Sequence, residues 1–267
     1  MNFNSKKIDY HMHPNIINKP DNADLFINHA IEMGFDEICF TDHMPLSICN
    51  AADRIPKGEV EKYCELVREK AAEYKDHIVI KTGIEIDYHP DFIDEIESVL
   101  CAGQFDYIVG ASHLHIPGYN IDMSKLTYND FARISFETSL CAINSGYFDA
   151  IAHLDLFRWV FTLPKRFPLI ADEPFDLDKH KPILKEIMKA LEVKKMMLEI
   201  NSIAILHNVS NNGMYPEKEI INLSYGYDLK YIFGSDAHSF DRIGEGFNEM
   251  QLSQEYGEAM NKIHIPE

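Results

Sequence analysis

Along the chain, short runs rich in β-branched and aromatic residues alternate with longer amphipathic runs. The short runs predict strands near 6–13 (KKIDYHMH), 37–43 (EICFTDH), 78–87 (IVIKTGIEID), 107–113 (YIVGASH), 149–154 (DAIAHL), 197–202 (MLEINS) and 231–238 (YIFGSDAH). Between them, segment 22–33 opens on Asn22 as a possible cap and stops at Gly34. Segment 178–194 sets Ile183, Leu184, Ile187, Met188 and Leu191 on one helical face. Further helices are predicted near 58–75, 91–101, 127–145, 216–225 and 254–262. No repeat, low-complexity tract or linker interrupts this pattern, so residues 1–267 are expected to form one domain. Repeated strand–helix alternation predicts an α/β fold with a parallel sheet, either open or closed into a barrel.

The polar residues at the strand ends bear on that choice. His13, His43, Glu85 (followed by Asp87), His113, His153, Asn201 and the pair Asp236/His238 all fall at or near the C-terminal ends of predicted strands. In a β/α barrel those ends converge on one face and carry the chemistry. In an open sheet they spread along a line with one switch point. Ligand-type residues at nearly every strand end therefore favour the closed ring. In DYHMHP, strand alternation puts Asp9, His11 and His13 on one face and Tyr10 and Met12 on the other. Taken singly, each histidine reads as a capped or solvent-facing residue. Taken together, His11, His13, His43, Glu85, His113, His153, Asp236 and His238 exceed the three to five protein ligands of one metal. They point to two or three divalent ions sharing bridging groups. Imidazole and carboxylate donors suit zinc, iron or manganese.

Composition narrows the classes. Hydrophobic residues make up 46% of the chain, enough for a sizeable core. The segment MNFNSKKIDY has no apolar core of a signal peptide, and no apolar run approaches the ~18 residues of a membrane span. Five cysteines without a Cys-x-x-Cys pair fit a reducing cytoplasm and argue against a thiolate zinc site. They read as small core hydrophobes. A net charge of −18 argues against nucleic-acid and acidic-membrane partners. An anionic small molecule remains compatible, because bound cations reverse the sign locally.

These motifs resemble, over nearly the whole chain, the polymerase-and-histidinol-phosphatase (PHP) family, and within it the monofunctional histidinol phosphatases. DYHMH resembles the first His-x-His motif, FTDHMPL the second, and KTGIEIDY the segment with the bridging acid. ASH and AHLDL resemble the lone-His motifs, and FGSDAH the terminal Asp-x-His motif. The resemblance implies a distorted (β/α)7 TIM-like barrel with two or three divalent metals at the C-terminal ends of the strands. It implies that His11, His13, Glu85 and Asp236 bind the first metal, that Glu85 bridges to a second completed by His113 and His153, and that His43 and His238 serve a third. By the same resemblance Glu85, Asp236 and His238 are the catalytic residues and Asp9 orients a ligand imidazole. The family's remaining third-site position is Lys19 here, which makes Asp21 the substitute carboxylate unless it only caps a helix.

The implied activity is hydrolysis of a small phosphorylated substrate, L-histidinol phosphate first, in histidine synthesis. The alternatives are a phosphotyrosine-protein or nucleotide phosphoesterase on the same scaffold, and a metal-binding protein without catalysis. A polymerase exonuclease module fits poorly with an acidic chain lacking a basic stripe. Few basic residues lie near the motifs. Arg158, after AHLDLF, Arg242, past SDAHSF, and His207, after the sixth strand, are the substrate-binding candidates. Lys165 and Arg166 are expected on a solvated loop, and His29, His180 and His264 at the surface. His89 and His115 lie just beyond strand ends, Trp159 is expected to pack, and Tyr10 and Phe40 to be core.

Overall fold

A computed structural model describes residues 6–49, 52–116, 119, 121–207 and 214–266. Seven parallel strands follow one another in chain order: β1 (Ile8–Asp9), β2 (Glu37–Phe40), β3 (Val79–Asp87), β4 (Tyr107–Ala111), β5 (Ala150–Ile151), β6 (Met197–Asn201) and β7 (Tyr231–Gly234). The ring closes between its first and last strands. Tyr10 N–H donates to Phe233 O at 2.9 Å, Asp236 N–H to His11 O at 2.7 Å and His13 N–H to Ala237 O at 2.8 Å. The expected (β/α)7 barrel is thus the one observed.

Helices α1 (Asp21–Glu32), α2 (Val60–Glu73), α3 (Ile93–Ala102), α4 (Tyr128–Ser145), α5 (Phe157–Phe161), α6 (Lys181–Lys194), α7 (Ala204–His207) and α8 (Lys218–Ser224) connect the strands, and α9 (Phe247–Leu252) and α10 (Gly257–Met260) follow β7. Their boundaries follow local chemistry. Thr127 and Asp130 form a reciprocal capping box at the start of α4, and Gly146 ends it at φ 79°. On α6, Leu184, Ile187, Met188 and Leu191 are buried as the spacing predicts, with Ile183 only half-buried. Asn22 does not cap α1; the helix begins at Asp21, and the Asn22 amide instead donates to Pro14 O at 3.1 Å. None of the helices among the described residues is long and apolar enough to cross a membrane.

Two apolar layers result. One lies between barrel and helices, where Ile38, Ile84, Ile86, Leu198, Ile200 and Phe233 meet the helical faces. The other fills the barrel below the strand ends with Ile8, Tyr10, Cys39, Tyr107, Val109 and Ile232. Register assigns Glu85 to the inner face, opposite Val109, and Asp87 opposite Ala111. The regular strands are shorter than the sequence predicts. Most of the cluster histidines lie beyond the last ladder pair, where the chain turns inward. Cys39 and Cys64 are buried as expected, whereas Cys101 and Cys141 are exposed on helical surfaces.

The inner layer is closely fitted around β3. A Cβ at Gly83 would stand 2.6 Å from Cys39 Sγ, 2.9 Å from Thr41 Cγ2 and 3.0 Å from the Phe40 carbonyl oxygen, so buried neighbours must shift to admit it. Gly83→Ala is therefore expected to lower the unfolding free energy by about 1–3 kcal/mol, as overpacking does. Urea denaturation followed by circular dichroism measures it; an unchanged midpoint would show that the Cys39 side chain simply yields.

Candidate metal centre

The turns after the strands deliver their histidines to one point, and β3 supplies a carboxylate at its centre. Glu85 is fully buried. Its Oε1 lies 3.0 Å from His153 Nε2, 3.5 Å from His11 Nε2 and 3.6 Å from His113 Nε2. Its Oε2 lies 2.5 Å from His43 Nδ1 and 3.6 Å from His13 Nε2. Asp236 Oδ1 closes the other side, 3.0 Å from His13 Nε2 and 3.6 Å from His238 Nδ1. Among the described residues, four overlapping groups have donor atoms within 4.8 Å of one another: His11/His13/Glu85, His11/His153/Asp236, His43/Glu85/His113 and His13/His43/His238. Between them they use all eight residues of the predicted ring.

Asp21 is not among these groups. It stands exposed in the first turn of α1, where its charge favours the positive end of the helix. Two of the groups, His43/Glu85/His113 and His11/His153/Asp236, cut across the expected sets, while Glu85 Oε1 also lies within 3.6 Å of both His113 and His153, the partners expected at the second metal.

The donor set fits divalent cations. His11 Nε2, both ring nitrogens of His13, His43 Nδ1 and Glu85 Oε2 are buried and make no well-directed hydrogen bond to the described residues, although His43 Nδ1 and Glu85 Oε2 stand 2.5 Å apart and His13 Nε2 and Asp236 Oδ1 3.0 Å apart. Unpartnered polar atoms cost free energy when buried, and a cation satisfies several at once. The His13 and His43 rings stack with centroids 4.1 Å apart, close packing that two charged imidazoliums would oppose. Burial raises the Glu85 carboxyl, but His43, His113 and His11 prevail and hold it well below the usual carboxylate range. Burial likewise opposes His11 and His13 at Asp236, and the imidazoles again prevail. Burial, with His43 and His238 beside it, holds His13 neutral, the state in which an imidazole can be a ligand. Two cluster residues take left-handed backbone conformations, His153 at φ 20° and Asp236 at φ 55°, as strained positions at functional sites often do.

A second layer of charges supports the first, and most of it was not legible as such. Asp87 Oδ1 lies 2.5 Å from His113 Nδ1, and its Oδ2 accepts from Arg54 Nη1 at 2.5 Å. Arg54 is itself buried and also donates to Met44 O at 2.9 Å. Asp9 makes no hydrogen bond to an imidazole ring among the described residues, although it accepts from the backbone N–H of His11 at 3.3 Å. Its oxygens accept from the backbone N–H groups of Ser235 and Gly244, both at 2.9 Å, because Asp9 pairs in register with Ile38 on the helix side. Glu199, absent from the predicted set, meets His11 Nδ1 at 2.6 Å. The signal that could have found it is a carboxylate in the otherwise apolar run MMLEI, two residues before Asn201.

The substrate-binding candidates part company. Arg158 is buried, with Nη1 2.8 Å from Asp155 Oδ2 and 3.5 Å from Glu217 Oε2. Arg242 is drawn away by Glu245, both of whose oxygens it reaches, at 2.6 and 2.8 Å. His207 stacks on Trp159 at 4.6 Å, and its Nδ1 lies 3.1 Å from the Tyr215 hydroxyl. Burial lowers its pKa to about 4. His115 stands 5.6 Å from the His113 ring and edge-on to Trp159 at 5.3 Å. Lys165 and Arg166 are exposed, as expected. His180 is buried rather than at the surface, stacked on Phe175 and 3.3 Å from Asn129 Oδ1.

A seven-stranded β/α barrel with histidines and carboxylates converging at its C-terminal mouth defines a metal-centre barrel. The chain belongs to the PHP domain family, whose model matches residues 9–203. Asp236 and His238 lie beyond that match and join the cluster through the closure of β7 on β1. The chain is similar to the histidinol-phosphatase of Bacillus subtilis, with 25% identity over 91% of this chain and 97% of that one. It is similar to the histidinol-phosphatase of Lactococcus lactis subsp. lactis, with 25% identity over 74% and 72%. Its fold matches the crystal structure of histidinol phosphate phosphatase from Lactococcus lactis complexed with zinc, L-histidinol and phosphate. That match has a TM-score of 0.73 and 22% identity, and covers 97% of this chain and 95% of that one.

The Arg54–Asp87 pair is the support most open to test. Removing one partner of a buried ion pair costs about 3–5 kcal/mol. Arg54→Met is expected to destabilise the protein by that amount in urea unfolding. A loss below about 1 kcal/mol would be that of an exposed pair, and would show that Asp87 does not depend on Arg54.

Proposed function

We propose that the protein is a metal-dependent phosphomonoesterase that hydrolyses L-histidinol phosphate to L-histidinol and phosphate. The observation that carries this reading is the buried cluster centred on Glu85, with donors enough for two to three divalent ions. The histidinol-phosphatase relatives support the choice of substrate. So does the similar fold of a protein whose crystals hold zinc, L-histidinol and phosphate. Zinc, iron and manganese all suit the donors.

Divalent cations held here supply the positive charge and the acidified water that phosphate-ester hydrolysis requires. The chain's own part is to hold them. Glu85 reaches donors on both sides of the cluster, so it serves as the shared carboxylate. His13, His43 and His238 offer a third cation three imidazoles without help from Asp21. His238 is exposed enough to meet a ligand. Arg158 is proposed to meet the phosphate. Asp155 holds one of its nitrogens, and its other guanidinium N–H groups make no hydrogen bond to the described residues.

Phosphate release across a panel of monoesters tests the reading, with histidinol phosphate, phosphotyrosine and a nucleotide included. Preferred turnover of the nucleotide or phosphotyrosine would move the protein to another substrate class. Glu85→Gln is expected to reduce turnover at least a thousandfold while circular dichroism stays native, since the amide removes the shared charge. Activity within tenfold of the parent would deny Glu85 the bridging role.

Arg158→Ala is expected to raise KM for the phosphate ester about tenfold or more, the ~1.5–3 kcal/mol of a charge-assisted contact, with kcat less affected. Unchanged kcat/KM would leave Arg158 as the structural partner of Asp155 and Glu217 alone.

A further inference from the structure

Strand β6 contributes no donor to any of the four groups, yet it buries two polar side chains at alternate inward positions. Glu199 Oε1 lies 2.6 Å from His11 Nδ1. Its Oε2 accepts from the backbone N–H of His153 at 2.8 Å and from the Asn201 amide at 3.0 Å. The Asn201 amide also lies 3.4 Å from Asp236 Oδ2. Two neighbouring side chains thus touch three members of the cluster: a ring, a backbone amide and a carboxylate. His153 is one of the two that take a left-handed backbone, a conformation that persists only when its surroundings hold it.

The sequence leaves space for this contact. A Cβ at Gly234 would overlap both Glu199 Oε1 and the His11 Cβ. The residue before the Ser235–Asp236 turn must therefore be glycine if Glu199 is to reach the ring.

We propose that Glu199 is a positioning residue for the metal centre. It fixes His11 as the tautomer with its proton on Nδ1 and Nε2 directed at the cations, and it holds His153 in its left-handed backbone. The proposal rests on the metal-binding reading above. The chemistry requires two acceptor oxygens. A carboxylate accepts from His11 on one oxygen and from His153 and Asn201 on the other. Glutamine cannot do both. If its NH2 faces His153, two donors meet in a buried space. If it faces His11, the ring must carry its proton on Nε2 and lose that ligand atom.

The test uses the full chain with 15N-labelled histidine, loaded with zinc. His11 is expected to show a protonated Nδ1 and a zinc-bound Nε2. Glu199→Gln is expected to keep its native circular dichroism and to lose about 10–100-fold in zinc affinity by chelator competition. Gly234→Ala is expected to give the same loss with Glu199 still present. A His11 proton found on Nε2 in the parent protein overturns the proposal, as does parental zinc affinity in Glu199→Gln. Should that variant fail to fold, the parent spectrum alone decides. If the parent binds no zinc, the metal reading fails. The tautomer is then read from the metal-free protein at a pH where the ring is neutral.

Discussion

The rest of the molecule is arranged around one carboxylate that has no access to water. Glu85 is fully buried, and five imidazoles surround it within 3.6 Å. Isolating a carboxylate from solvent costs several kcal/mol. Nothing in a β/α barrel requires that cost, because a hydrophobic residue at the same inward position would fit the layer formed by Val109 and Ile232. The cost is offset only if positive charge comes to the carboxylate. That demand explains why the histidines arrive from turns after separate strands. Only closure of β7 on β1 brings residues 11 and 13 beside 236 and 238.

Bringing ligands to a point is not enough, because imidazoles rotate and choose tautomers. The rings are held from behind. Arg54 fixes Asp87, which meets His113, and Glu199 meets His11. Both supporting carboxylates lie two positions from another polar inward residue on the same strand, Glu85 on β3 and Asn201 on β6. On β3 the two-residue period sets a donor, Glu85, beside a support, Asp87, and on β6 it sets two supports, Glu199 and Asn201, side by side. The apolar layer beneath keeps these pairs dry, which strengthens each contact.

This explains what could be read from the chain and what could not. The seven strands and the ring of donors were legible because each falls at the end of an apolar run. Strand lengths were not, since His153 and Asp236 leave the ladder through left-handed turns that composition does not announce. The row Asp9, His11, His13 fails for a related reason. The regular strand ends at Asp9; Tyr10 keeps the inward alternation set by Ile8, whereas His11 leaves it and also turns inward. Glu199 and Arg54 escaped notice because their partners lie 188 and 33 residues away in sequence. Asp21 looked like a ligand because a loop carboxylate was needed nearby, but helix α1 begins on it and turns it to solvent.

Little side-chain charge is left over for an anionic substrate. Arg54 is committed to Asp87, Arg242 to Glu245, and one face of Arg158 to Asp155 and Glu217. Arg166 lies over the rings of Trp159 and Phe167, at 5.7 and 5.1 Å. Side-chain cations near the mouth are thus mostly neutralised by carboxylates, in a chain whose formal charge is already −18. A phosphate ester approaching this protein meets a repulsive field until cations occupy the cluster. On the proposed function, cations in the cluster would therefore serve substrate binding as well as chemistry.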